Sequence, residues 1–306
     1  MEKPVVKTRL GMRARLGFNF YDVFVLAFCI IFAVVCFYPM WYVLISSVTP
    51  YEEFIKGGLM LWPSGGIDLQ YYKMIFSTAS FPRSMMVSLI KTLMGTALSV
   101  VVTSSMAYAV SKAHVKGMKV INALVVFNLF FTGGLIPEYT LYMDMGLLRT
   151  FWVMVIPSTL NITYFIIMRN YFSYSVPTDL EEAARIDGCN DVGIFAKIII
   201  PLSKPMLAAV GLFIAVIHWN DYYNYMVFIA NKPELQPFAW VLRRILTDAN
   251  MMNSVRQGAV QVGAQLPPPM ALRMASIICA MLPIMCVYPF LQKHFAKGIL
   301  IGAVKE

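Results

Sequence analysis

Apolar residues in this chain come in blocks. Runs of about 20 or more mostly apolar residues recur along it, the length an α-helix needs to cross a hydrocarbon layer of about 30 Å. Alternation at strand period is absent, which disfavours a membrane β-barrel. The first block, Phe20 to Val48, is too long for the core of a secretory signal and lacks a small-residue cleavage site. It reads as an uncleaved first spanning helix, kinked at Pro39, with Tyr38, Trp41 and Tyr42 as an interfacial belt. Residues 49–81 read as a mixed loop with a short amphipathic helix near Leu69 to Phe76. A second spanning helix covers Ser84 to Ser111, with Lys91 near its start, either snorkelling or facing the bundle. The third, Val120 to Pro137, has an end made breakable by Asn128, Thr132, Gly133 and Gly134. The fourth, Phe151 to Tyr171, is interrupted by Pro157, Ser158, Asn161 and Thr163. The fifth and sixth cover Met206 to Asn220 and Met270 to Leu291. Between them, 221–269 reads as a long hydrophilic loop with a helix over Phe238 to Ala249.

One long polar stretch interrupts this pattern, from Pro177 to Pro205. Thr178 followed by Glu181 has the spacing of a capping box, and Gly188 sits where a helix would stop. Leu180, Ala183 and Ala184 share one face at helical spacing. A second short helix is expected from Asp191 to Ile200, with Pro201 and Pro205 punctuating the next apolar run. On the residues alone, this is either a solvated loop helix or a docking helix with small alanines for close approach and charges for pairing.

Composition supports the membrane reading. Of 306 residues, 59% are hydrophobic and only 13% charged, which argues against a soluble globular domain. The net charge of +9 is better read as topology than as nucleic-acid affinity, because no basic run interleaved with aromatics forms a soluble patch. With the amino terminus inside, inside segments hold fifteen basic residues, among them Lys3, Lys7, Arg9, Arg13, Arg15, Lys112, Lys116, Lys119, Arg185, Lys197 and Lys293. Outside segments hold nine, mostly in two long loops where the rule is weak. This bias puts both termini and the polar stretch in the cytoplasm. The expected organisation is a basic cytoplasmic segment 1–19, a six-helix domain 20–291 with an inner loop 173–205 and an outer loop 221–269, and a cytoplasmic tail 292–306.

Catalytic and metal signatures were sought without result. Four of the five cysteines (Cys29, Cys36, Cys279 and Cys286) lie in apolar runs, Cys189 does not, and no pair is spaced as CxxC. His114, His218 and His294 are scattered in sequence. There is no phosphate-cradling Gly-rich loop with Lys-Ser/Thr, no HExxH and no Gly-x-Ser-x-Gly, so the chain is not expected to hydrolyse ATP itself.

Glu182-Ala183-Ala184, three residues, Gly188, nine residues, Ile198, then Ile200-Pro201 resembles the EAA loop of ABC importer membrane subunits. Ile200 departs from the leucine usual before the final proline. The extended form Glu-Glu-Ala-Ala-Arg-Ile-Asp-Gly is similar to the carbohydrate branch. Gln292-Lys293-x-Phe295-x-x-Gly298 followed by Gly302-Ala303-Val304-Lys305 resembles the carboxyl end of maltose-type permeases. Phe131 to Pro137 and Gly146 to Thr150 look like the subgroup handling oligosaccharides from complex polysaccharides.

The resemblance implies an all-α polytopic membrane protein with six transmembrane helices in the type I ABC importer permease fold. It implies a non-catalytic subunit that translocates an oligosaccharide delivered by an external binding protein. Coupling to the ATPase would fall to Glu181, Glu182, Ala183, Ala184, Arg185, Asp187, Gly188 and Pro201. The implied partners are a second, non-identical permease, two ABC ATPase subunits, an extracytoplasmic sugar-binding protein and the lipid bilayer, with no nucleic acid. No cofactor would bind this chain; ATP and Mg would sit on the partner ATPase. The outer loop over Gln236 to Gln265 would touch the binding protein.

Polar residues in the helices leave two readings open. Asn128, Thr132, Asn161, Thr163, Asn220 and Asp221 either line a translocation path or serve as helix–helix hydrogen-bond glue. Trp219, Asn220, Asp221 and Tyr222, with His218 and Tyr223 to Tyr225, either offer aromatic faces and amides to a sugar or form an interfacial belt. Rival functions are an ion-gradient-driven secondary transporter, which wants an intramembrane carboxylate relay, a membrane-embedded glycan enzyme, and an ABC permease for another polar solute such as a glycerol phosphate ester.

Overall fold

A computed structural model describes residues 20–303 apart from 57, 59, 79, 113, 114, 249–252, 254, 255 and 258–268, with backbone alone at 51 and 290–303. The basic segment 1–19, His114, the side chains of the tail and most of the second half of the expected binding-protein loop therefore lie outside the described residues. Among the described residues the secondary structure is helical, with no strand.

The first helix, α1, runs Phe20–Val48 with Pro39 inside it, as its apolar block predicts. Its residues up to Met40 are exposed and only Ile45, Ser46 and Ser47 on it are buried, so it leans out of the bundle. Two short helices follow, α2 at Tyr51–Lys56 and α3 at Gln70–Ser77. The Glu53 carboxylate accepts from the amides of Ser64 and Gly65 at 2.7 and 2.9 Å, closing the turn between them.

The centre of the fold is α4, Ser80–Ser111, which starts four residues before its expected boundary. It buries Ser84, Ser88, Lys91, Gly95, Ser99, Thr103, Ser104 and Ala107, a stripe at three- and four-residue spacing, and turns Leu93 and Val101 outward. This inverts the soluble pattern, because small and polar residues let helices approach closely where lipid already satisfies the apolar face.

The next two expected spans are broken. α5 covers Met118–Phe130 and α6 Leu135–Asp144, separated by extended backbone that ends at Gly134 with φ 84. The expected fourth helix is a 3-10 turn at Phe151–Met154 and then α7, Ile162–Tyr174. Pro157 lacks the N–H a helix would need, and Asn161 caps α7 instead of continuing it, its Oδ1 accepting from Tyr164 N at 3.2 Å. α5 and α7 have 13 residues each. That is about 20 Å of helix, short of the hydrocarbon thickness.

After α7 come α8 at Thr178–Ile186, α9 at Asp191–Leu202 and α10 at Lys204–Asn220; the last two meet at a bend of 83°. Residues 221–248 are not the solvated loop their polarity suggests. α11 (Tyr223–Phe228) and α12 (Phe238–Thr247) bury Tyr225, Phe228, Phe238, Val241 and Ile245. α13 runs from Pro269 to Ala303, twelve residues beyond the expected end at Leu291, so the expected tail begins as helix. Among the described residues, three helices (α1, α4 and Pro269–Pro289 of α13) are long and apolar enough to cross a membrane, and the bent pair α9–α10 makes a fourth when counted as one span.

α4 touches α3, α5, α7, α10 and α12. Its closest approach is at Gly95, where an added Cβ would lie 2.6 Å from the His218 ring. Gly95→Ala is therefore expected to overpack the α4–α10 contact and cost about 1–3 kcal/mol, read as a lowered melting temperature of the detergent-purified protein. Combining it with His218→Ala should restore most of the loss.

Candidate coupling site

The polar stretch folds as a helical elbow. Thr178 is the first helical residue rather than the cap; Pro177 holds the cap position, with no side-chain hydrogen bond. The expected capping box does not form because Glu181 turns inward, where its Oε1 takes Lys112 Nζ at 2.5 Å. A shielded carboxylate beside a lysine gains more from that charge-assisted bond than from a surface amide.

α8 ends as its sequence predicts. Gly188 has φ 81, Gly188 N donates to Arg185 O at 3.0 Å and Cys189 N to Ala184 O at 2.9 Å, which together make a Schellman stop. Asn190 Oδ1 then accepts from Gly193 N at 2.8 Å and starts α9. Arg185 and Asp191 pair across the elbow at 3.0 Å on its surface.

The expected face of Leu180, Ala183 and Ala184 splits. Glu181 and Ala184 are buried, while Leu180, Glu182, Ala183, Arg185, Ile186, Asp187 and Gly188 are exposed. Ile186 and Val192 are 87% and 74% exposed, an unusual display for branched apolar residues on an otherwise charged surface. A cavity of about 180 Å³ beside α8 is lined by Ser111, Lys112, Ser173, Glu181, Glu182 and Arg185.

Pro201 lies in the last turn of α9. It has no N–H, and its ring crowds the carbonyl four residues back. The helix widens to a π turn over Phe195–Ile199 just before it, with Ile200 N bonding Phe195 O. The chain then bends at Ser203, and Pro205 fits the first turn of α10.

The path residues divide. Asn128 and Thr132 are exposed, on α5 and in the break after it; Asn161 caps α7. Among the described residues, no hydrogen bond joins these three to the 218–225 segment, although Asn224 reaches Ser158, three residues before Asn161. In that segment His218, Trp219 and Tyr225 are buried, while Tyr223 is exposed. Trp219 Nε1 donates to Ala280 O at 3.1 Å. Asn220 is exposed, and Tyr222 lies under the exposed Arg243 guanidinium at 4.4 Å and stacks with Trp240. Asp221 is engaged by Lys91, whose Nζ donates to its carbonyl at 2.7 Å and to Oδ2 at 3.1 Å. Asn224 closes the cluster by donating to both Asp221 carboxylate oxygens. Reasoning from sequence missed this Lys91–Asp221 pair; the signal was a single lysine in an apolar helix that had to find an anion.

Residues 118–301 match the family described as binding-protein-dependent transport system inner membrane component. The chain belongs to that family. Its relatives from Bacillus subtilis (strain 168) include the polygalacturonan/rhamnogalacturonan transport system permease protein YtcP, 38% identical over 93% of this chain and 98% of that protein. Another is Protein LplC, 42% identical over 87% of this chain and 88% of that one. Among solved structures, a crystal structure of a bacterial ABC transporter involved in the import of the acidic polysaccharide alginate aligns with TM-score 0.82 and 30% identity, over 90% of this chain and 96% of that one. This binding-protein-dependent permease is thus a membrane-bound, non-catalytic subunit of an ABC importer, and such systems also contain an ATPase, a substrate-binding protein and a second permease.

Lys91 is fully buried and the Asp221 side chain 15% exposed. Lys91→Met should strand the carboxylate and lower stability by about 3 kcal/mol. The double variant Lys91→Met/Asp221→Asn should regain more than half of that in a thermal melt.

Proposed function

We propose that this permease is one of two non-identical membrane subunits that carry an oligosaccharide, handed over by an external binding protein, into the cell at the expense of ATP. The observation that carries the reading is the two-sided elbow of α8 and α9. One side is tied into the bundle through Glu181 and Ala184; the other presents Leu180, Glu182, Ala183, Arg185, Ile186 and Val192 to a partner. The fifteen-to-nine basic bias supports a cytoplasmic position for this elbow and for both termini.

On this reading two ATPase subunits, holding ATP and Mg, close on nucleotide binding and displace α8. Glu182 pairs with a basic or polar group of the ATPase, Ala183 admits close contact, Gly188 makes the turn and Pro201 sets the bend into α10. The helices rock, and the cavity changes from inward- to outward-facing. Asn220 and Tyr222, with Arg243 over the ring, offer amide, aromatic face and cation to a passing sugar. YtcP is named for polygalacturonan and rhamnogalacturonan and the aligned crystal structure for alginate, which supports an oligosaccharide of polysaccharide origin as the cargo. A gradient-driven transporter is disfavoured, because Asp221 sits at the end of α10 and is neutralised by Lys91.

No atom lies within 4 Å of where a Cβ on Gly188 would sit, so a side chain there would point into the docking space. Gly188→Asp should abolish uptake and transport-coupled ATP hydrolysis while the protein still reaches the membrane. Normal uptake by this variant would sink the coupling role of the elbow.

A further inference from the structure

We propose that Lys112 and Glu181 form a strut that carries displacement of α8 into α4, so that Glu181 is a positioning residue inside the permease and not a contact to the ATPase. The proposal rests on the coupling reading above and assigns the internal half of that site.

Glu181 and Glu182 are adjacent, so at about 100° per residue they point to different sides of α8. Glu182 is exposed; Glu181 is 5% exposed. Its partner Lys112 follows directly on the last residue of α4, and the two side chains are 14% and 7% exposed. The Lys112 ammonium also lies 4.7 Å from the centre of the Tyr108 ring. Tyr108 in turn stacks on Phe195 of α9 at 5.1 Å and meets Phe172 of α7 edge-on at 6.0 Å. The ion pair thus sits on an aromatic platform where α4, α7 and α9 converge.

The geometry distinguishes this tie from the other attachments of α8. Ala184 contributes an apolar contact, which can slide, and Arg185–Asp191 is a surface pair within the elbow. Among the described residues, the Lys112 bond is the one side-chain ion pair joining α8 to a spanning helix. A shielded, charge-assisted bond resists lateral slip in a way an apolar contact does not.

α4 carries a second such bond, at Lys91, about a third of the way along from its first residue. Lys91 and Lys112 are separated by about 30 Å at about 1.5 Å per residue, close to the hydrocarbon thickness. Lys91 holds Asp221 at the end of α10, beside Asn220 and Tyr222. The segment from Lys91 to Lys112 therefore grips the proposed sugar-facing segment at one end and α8 at the other, each through a lysine.

The test uses the whole complex, with its second permease and ATPase subunits, in lipid nanodiscs. A cysteine replaces Tyr223, which is 46% exposed, the native cysteines being replaced by serine. Labelling by a maleimide is timed with and without Mg-ATP and vanadate. In the otherwise unaltered chain the nucleotide should change the labelling rate at least fivefold. With Lys112→Met or Glu181→Gln, the ATPase subunits should copurify in unchanged proportion while that change falls below twofold. Lys112→Arg, and the reversed pair Lys112→Glu/Glu181→Lys, should restore at least half of the response. Full response in the single variants, no recovery in the reversed pair, or loss of ATPase copurification with Glu181→Gln would each overturn the strut. If Lys112→Met fails to accumulate, Glu181→Gln, which keeps the shape, decides. Failure of any ATPase to copurify with the unaltered chain would instead overturn the coupling reading itself.

Discussion

Backbone amides and carbonyls left without partners in hydrocarbon are costly, and this fold is arranged around satisfying them. α4 does much of that. Ser88 Oγ accepts from Phe238 N at 2.7 Å, the otherwise unmet first amide of α12. Ser99 and Thr103 donate to the carbonyls of Ser158 and Thr159, both at 3.1 Å, in the non-helical segment before α7. Lys91 donates to the carbonyl of Asp221, where α10 stops. Each of these polar residues of the α4 stripe meets a place where another element gives up its own ladder. Without that stripe, the carbonyls of Ser158, Thr159 and Asp221 would lose these partners.

The breaks allow what an unbroken helix forbids. Two helices of 13 residues and a pair bent by 83° make a bundle whose segments can move relative to one another without stretching any single helix. Irregular backbone inside a membrane persists where protein covers it or water reaches it. Here α4 covers one side of it. Exposed Asn128, Thr132 and Asn220 mark polar surface that still needs water, cargo or a partner chain.

Much of this was readable in the sequence, and the failures have physical causes. Block length alone placed α1 to the residue and α10 within two, because long apolar runs have no competing structure in water or lipid. The stop at Gly188 followed from its freedom at positive φ. The capping box failed because local spacing cannot see Lys112, 69 residues away in sequence. The third and fourth spans break where the sequence marks them as weak, at Gly134 and at Pro157 to Asn161; apolar block length could not say that each break would end the helix rather than kink it. Residues 221–248 looked hydrophilic because their buried residues, such as Phe238, Val241 and Ile245, recur only once per helical turn. The α4 stripe is legible in principle, since Ser84, Ser88, Lys91, Gly95 and Ser99 keep helical spacing, but it is polar where a soluble helix would bury an apolar stripe.

On the proposed coupling, the doubled glutamate gives α8 both a fixed and a free side. A docking helix held only by its partner would follow that partner without moving the bundle. A helix held only by the bundle would present nothing to grip. Glu181 and Glu182 are chemically identical, so their different fates are set by position alone: one meets Lys112 and Tyr108, the other meets open space. Ala183 and Ala184 repeat the division without charge, one exposed and one packed against the apolar cluster that includes Ile194 and Ile199. These four residues, about one turn of the nine-residue α8, give it two unlike sides, and on the proposed coupling a force that reaches its outer side has a charged route toward the cytoplasm-proximal end of α4.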